Sequence, residues 1–255
     1  MKTQKMKILS IGDVHGRDSW KFAVNYWDLE NSIDEYDKIV FVGDYVDSFD
    51  VDDLVMINNL LTIIELKKKY PEKIVLLWGN HDIQYLFAEN KYLCTGFRKT
   101  IFVTLHQIFT ENRDLFQLAY QYKNYLWSHA GLHRGWYKQW IEDKKYIIRD
   151  GEVKDYLPID KSGNVADILN FCFEARHDAI FHIGWSRNGK QKVGGPLWAD
   201  KNETYRKPVL GLHQIIGHTH VDSIKHYQNY QNSLTSTTYI DCMATSPYDY
   251  YLIKL

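Results

Sequence analysis

Five short blocks of the chain gather residue types that bind metals and move protons. They are Gly12-Asp13-Val14-His15-Gly16, Gly43-Asp44-Tyr45-Val46-Asp47, Gly79-Asn80-His81-Asp82, Ser128-His129-Ala130-Gly131 and Gly217-His218-Thr219-His220. Carboxylates, an amide carbonyl and neutral imidazoles form a hard-to-borderline oxygen and nitrogen ligand set, which suits manganese, iron or zinc better than a purely thiophilic ion. Five of the 11 histidines fall in these blocks. Each block alone also has a purely structural explanation: Asp13 or Asp44 as a helix N-cap, Asn80 as a left-handed turn residue, His129 or His218 as a core histidine bonded to a carbonyl. Together, in a chain with no other pattern so dense in Asp and His, they read as one site.

The elements that must position these blocks are apolar runs. Ile8–Ile11, Ile39–Val42, Ile74–Trp78, Tyr125–Trp127 and Gln214–Ile216 lead directly into the five blocks. Open α/β sheets place their sites at strand carboxyl ends, where a glycine lets the backbone turn and the next side chain project over the sheet edge. Helical periodicity near Ser19–Glu30 and Asp52–Lys69 alternates with strand-like runs at Lys7–Ile11, Lys38–Val42 and Lys73–Trp78, which predicts an α/β layered fold. Further helices are expected at Arg98–Glu111, Trp136–Lys145 and Val165–Ala175, with a hairpin over Leu118–Ser128 turning at Lys123–Asn124. Strands are expected at His213–Ile216, Ser223–Tyr227, Ser236–Asp241 and Tyr248–Lys254, so the mostly β ending predicts a second sheet packed on the first. The Gly-rich stretch Gly184–Gly195 reads as a loop over a surface or site.

Composition narrows the function classes. With 255 residues, 45% hydrophobic, and only five prolines, the chain suits a single domain spanning 1–255. A formal charge of -1, from 31 basic against 32 acidic residues, supplies no global drive toward nucleic acid or an anionic membrane. The run Lys67–Lys69 reads as the solvated end of a helix, where cations suit the macrodipole. Cys94, Cys172 and Cys242 contain no C-x-x-C pair, so neither a disulfide framework nor a thiolate zinc cluster is indicated, and a reducing cytosol is expected. The first residues hold no apolar run long enough for a signal segment or a membrane span, which predicts a soluble, cytoplasmic protein.

As a set and in this order, GDVHG, GDYVD, GNHD, SHAG and GHTH resemble the signature blocks of the calcineurin-like metallophosphoesterase family, over residues from about 8 to 221. The resemblance implies a β-sandwich of two mixed sheets flanked by helices, with a dinuclear metal centre and a bridging hydroxide at the strand tips. It implies Asp13 and His15 on the first metal with His220 completing its shell, Asp44 bridging both metals, and Asn80, His129 and His218 on the second. Two divalent ions are implied, Mn²⁺ first and iron or zinc as alternatives. His81 takes the role of general acid for the leaving alcohol and Asp47 that of its partner; a carboxylate bonded to the imidazole favours its protonated form. Asp82 reads as the cap of the following helix.

Within the family, GDYVD and Pro196-Leu197-Trp198-Ala199-Asp200 are most similar to the protein Ser/Thr phosphatase branch. That branch normally continues GDxVD with Arg-Gly, where this chain has Ser48-Phe49, and often has Arg before GNH, where this chain has Trp78. The second histidine of GHTH, His220, is the one phosphodiesterase relatives keep. Another arginine must therefore grip the phosphate: Arg17, directly after the first block, and Arg187, in the Gly-rich stretch beside Trp185, are the candidates, with Arg98 and Arg206 read as surface residues. Trp185, Trp198 and Tyr45 have rings that could stack on a nucleobase or peptide, but buried core aromatics are the commoner reading of such residues. Three functions follow: a phosphomonoesterase acting on a phosphoprotein or small phosphoester; a phosphodiesterase or dinucleoside-polyphosphate hydrolase; and a non-catalytic scaffold.

Overall fold

The computed structural model describes residues 5–143, 146–156 and 164–255. The chain forms two compact units, one from residues 1–116, 220–224 and 240–255, the other from residues 117–219 and 225–239. The architecture is mixed α/β, with two mixed sheets flanked by helices. Among the described residues, no helix is long and apolar enough to cross a membrane.

Strands are numbered in chain order. The first unit holds β1 (Lys7–Ile11), β2 (Lys38–Phe41) and β3 (Ile74–Leu77), with β4 (Phe116–Gln117) at one edge and β12 (Tyr251–Lys254) at the other, in the order β12-β1-β2-β3-β4. β1, β2 and β3 run parallel, with Ile11 opposite Phe41 and Phe41 opposite Leu76, so their carboxyl ends share one sheet edge. Their Ile, Val and Leu side chains are fully or almost fully buried, as expected of parallel strands covered on both faces. Helix Asp53–Lys69 covers the sheet with Met56, Leu60, Ile63 and Ile64, a 3.6-residue stripe, and ends in three lysines. Helix Asn80–Phe87 starts at the third block itself.

The second unit holds β5 (Ala119–Tyr122), β6 (Tyr125–Ser128), β9 (His213–Ile216), β10 (Lys225–Gln228) and β11 (Ser236–Tyr239) in the order β10-β11-β9-β6-β5. β6 and β9 are parallel, with Ser128 opposite Ile216, so the fourth and fifth blocks leave the same edge. β5 and β6 make the expected hairpin, its turn at Lys123 in a left-handed conformation. The side chain of Asn170, on helix Val165–Glu174, fixes that helix to the hairpin by accepting from the amides of Leu118 and Ala119 and donating to the Ala119 carbonyl.

Three expectations are corrected. The helix expected near Ser19–Glu30 is broken into Trp20–Ala23, a 3-10 turn Tyr26–Asp28 and Leu29–Ser32. Asn25, with φ of 48°, ends the first piece, and the Ser32 hydroxyl then donates to the buried Val24 carbonyl. The helix expected over Trp136–Lys145 begins at Arg134, because His133 caps it, and widens to a π turn over Lys138–Glu142; Lys145 lies outside the described residues. A hairpin of β7 (Tyr146–Arg149) and β8 (Glu152–Tyr156) occupies a stretch for which no strand was expected.

Candidate active site

In the first unit, the shared edge of β1, β2 and β3 brings three blocks together. Asp13 and Asp44 are each 2% exposed and Asn80 is 1% exposed. Gly43 has φ of +104°, and a Cβ there would lie 2.6 Å from the Gly79 nitrogen, so only glycine lets the second and third blocks approach this closely. The Asp44 carbonyl accepts from the amides of Val14 and His15, and the Asp44 carboxylate accepts from the His81 amide at 3.0 Å. Asp82 accepts from the amides of Asp44, Tyr45 and Gly79 at 2.8, 2.9 and 2.9 Å, so the expected helix cap also fastens the Asp44 loop. His15, Asp44 and Asp47 have φ of 43°, 51° and 65°. Left-handed backbone at non-glycine residues costs on the order of 1 kcal/mol each and gathers at working sites.

His15 Nδ1 donates to the Val46 carbonyl at 2.8 Å, which fixes its tautomer and makes Nε2 the lone-pair atom, 3.7 Å from Asp44 Oδ2. Burial outweighs the attraction of Asp44 and lowers the His15 pKa from its ordinary value, which favours the neutral ring. Ligand atoms of Asp13, His15 and Asp44 lie within 4.8 Å of one another. Two buried carboxylates converging on a neutral imidazole repel each other without a cation and are satisfied by one, so this donor set fits a divalent metal.

His81 Nδ1 lies 3.0 Å from Asp47 Oδ2. Asp47 is 1% exposed and also receives the Gln84 amide and the Tyr85 hydroxyl. Burial opposes charge on His81, but Asp44, Asp47 and Cys94 more than offset it and raise its pKa well above the usual range. Asp13, His15, Arg17, Asp47, His220 and Asp241 line a recess of about 140 Å³. Arg17 reaches Asp50 at 2.7 Å from this wall. Beside it stands Phe49, 80% exposed.

In the second unit, His129 is fully buried, and its Nε2 lies 3.1 Å from Nδ1 of His218, whose φ is 62°. The Gly217 amide donates to the His129 carbonyl, and the Ala130 amide to the Pro196 carbonyl, which brings the Pro196–Asp200 segment against the fourth block. Trp198 meets His218 edge-on at 5.8 Å. Arg187 is held by Thr219 at 2.6 Å and Asp200 at 3.0 Å. The Gly-rich stretch is tied down by Glu203, which accepts from the Gly194 amide, and by the Gly195 amide donating to His182.

The family follows from the chain as a whole. A model of the calcineurin-like phosphoesterases matches residues 6–222. The chain belongs to that family. It is a hydrolase of phosphoester bonds, and the family works with divalent metals. Among solved structures, a cold-active protein tyrosine phosphatase shares the fold, with a TM-score of 0.57 at 17% identity over 98% of this chain and 73% of that one. A protein serine/threonine phosphatase from Saccharomyces cerevisiae matches with a TM-score of 0.41 at 17% identity, over 93% of this chain and 68% of that one.

In the phosphoesterase, one sequence reading holds and one is corrected. Tyr45 is fully buried against Phe116 and is a core aromatic, so it has no face to offer a ligand. Arg98 is no simple surface residue: its guanidinium brackets Asp53 and the Ser48 carbonyl, partly buried. Residues missed in the sequence are Asp241, 9% exposed on the recess wall, and Gln84, Tyr85 and Cys94 around His81. Asp241 had a signal, since it ends the strand-like run Ser236–Asp241. Gln84 and Tyr85 follow the third block at positions that read as ordinary helix, and Cys94 sits in an irregular stretch with no pattern.

Proposed function

We propose that the phosphoesterase is a metal-dependent phosphomonoesterase of the protein Ser/Thr phosphatase kind, acting on a phosphoprotein or small phosphoester in the cytoplasm. In this reading both units act as one catalytic domain, with Asp13, His15 and His220 on one ion, Asn80, His129 and His218 on a second, and Asp44 shared. When bound, two divalent ions, Mn²⁺ in first place, supply Lewis acidity that draws charge from the phosphoryl oxygens and acidifies water. The observation that carries the reading is His81: Asp47 orients its Nδ1, and its own amide is bonded to the Asp44 carboxylate. That chain of bonds aims an imidazolium proton on Nε2 at the leaving alcohol of an ester bound beside Asp44.

The monoester preference is supported by the recess. At about 140 Å³ it is smaller than the roughly 300–1,000 Å³ of sites for larger ligands. Arg17 on its wall offers a planar bidentate donor to a terminal phosphate. Among the described residues the Arg17 side chain is paired only with the exposed Asp50, whereas Arg187 is held by both Asp200 and Thr219 and is the weaker of the two candidates. His220 on the same wall favours a second reading, a phosphodiesterase or dinucleoside-polyphosphate hydrolase. The test compares turnover of para-nitrophenyl phosphate and bis-para-nitrophenyl phosphate by Mn²⁺-loaded protein. The expected result is a higher kcat/KM for the monoester; a preference for the diester would overturn this reading in favour of the second.

A further inference from the structure

Three side chains of different chemistry meet at one ring nitrogen. His81 Nδ1 lies 3.0 Å from Asp47 Oδ2 and 3.8 Å from Cys94 Sγ, and one ligand atom from each of the three residues lies within 4.8 Å of the others. Donors sharing a tetrahedral zinc at about 2.0–2.3 Å stand roughly 3.3–3.7 Å apart, so these separations need little adjustment to enclose an ion. Thiolate, imidazole and carboxylate form a softer set than Asp13, His15 and Asp44, and select zinc over manganese or magnesium.

The surroundings hold this cluster in place. Gln84 and Tyr85 both bond to Asp47, as outer partners do for metal-binding carboxylates, and Gln84 also accepts from the Cys94 amide at 3.0 Å. Gly96, with φ of +94°, turns the Cys94 loop against the ring: a Cβ there would lie 3.6 Å from His81 Cε1. Cys94 is half-buried, whereas Cys172 and Cys242 are buried, which leaves Cys94 as the thiol a cation can reach.

We propose that Asp47, His81 and Cys94 form a separate, inhibitory site for zinc. On binding, the thiol proton and the Nδ1 proton leave to solvent, and water takes the fourth position. A ring with zinc on Nδ1 gives up its remaining Nε2 proton only by becoming imidazolate, so it no longer serves as an acid for the leaving group. The inhibition rests on the role proposed above for His81; the binding does not.

Cobalt serves as the spectroscopic probe. Protein kept in excess Mn²⁺ is titrated with Co²⁺, and a thiolate-to-cobalt charge-transfer band in the near ultraviolet is expected, absent from both Cys94→Ser and Cys94→Ala. Zinc added to the same Mn²⁺-loaded protein is expected to inhibit, with the half-inhibitory concentration rising at least about tenfold in Cys94→Ala. No band in the wild type, or a band that survives in both variants, would overturn the site. A band without zinc inhibition would overturn the inhibitory role and count against His81 as the acid, while leaving the phosphoesterase activity itself untouched.

Discussion

In the proposed mechanism the two ring nitrogens of His81 have different tasks: Nδ1 is taken by Asp47, and Nε2 carries the proton for the leaving group. His81→Asn keeps a polar side chain but no acid. Its kcat on an alkyl phosphate is expected to fall by about 10²–10⁴-fold, with a much smaller loss on para-nitrophenyl phosphate, whose leaving group needs no proton. Metal content measured on the same samples is expected to match the wild type. Asp82 has a different importance, because it is fully buried and satisfies three amides. Asp82→Ala leaves those amides without their carboxylate, an expected loss of about 3 kcal/mol or more that a urea unfolding curve would read. That Asp13, His15, Asp44 and Asn80 gather at one sheet edge was legible, because each lies in a glycine-led block at the end of an apolar run. Cys94 was not, since its position depends on how an irregular loop folds back on His81.

At the scale of elements, parallel pairing decides which blocks meet. β1, β2 and β3 end together, as do β6 and β9, and this follows from apolar runs that could be read directly. Helix breaks were harder to read: Asn25 and Ser32 divide the Ser19–Glu30 region through local bonds that outweigh its periodicity. Helix Arg134–Tyr137 begins at His133, whose Nδ1 accepts from the amides of Gly135 and Trp136 and must therefore be unprotonated. Burial, with Lys207, Arg134 and Lys192 nearby, pushes its pKa down to about 4. A histidine depressed in the folded state binds its proton more readily when unfolded, so its contribution is complete above the unfolded pKa of about 6.5 and is lost as pH falls toward 4. Thermal melts between pH 7 and 4 are expected to show a steeper decline for the wild type than for His133→Asn, which keeps a capping side chain without the titration.

In the first unit, buried carboxylates at Asp13 and Asp44 and left-handed backbone at His15, Asp44 and Asp47 concentrate cost at one sheet edge, and a cation would relieve the repulsion between the carboxylates. Binding to the folded state alone stabilises it by mass action. Mn²⁺ at 100 times its Kd is expected to add about 2.7 kcal/mol. That corresponds to a rise of roughly 5 to 10 °C in Tm for a chain of this size, read by a melt with and without chelator. The family and its mixed α/β architecture were legible from the order of the five blocks, whereas the outer partners of the site depended on tertiary folding. The most direct test is to strip the protein of metal and return Mn²⁺ stepwise while following para-nitrophenyl phosphate turnover and bound metal, in the wild type and in Asp44→Asn. The expected result is no turnover without metal, activity that saturates as two ions bind per chain, and loss of both binding and turnover in Asp44→Asn. Full turnover in the presence of chelator, or wild-type metal content and rate in Asp44→Asn, would contradict it.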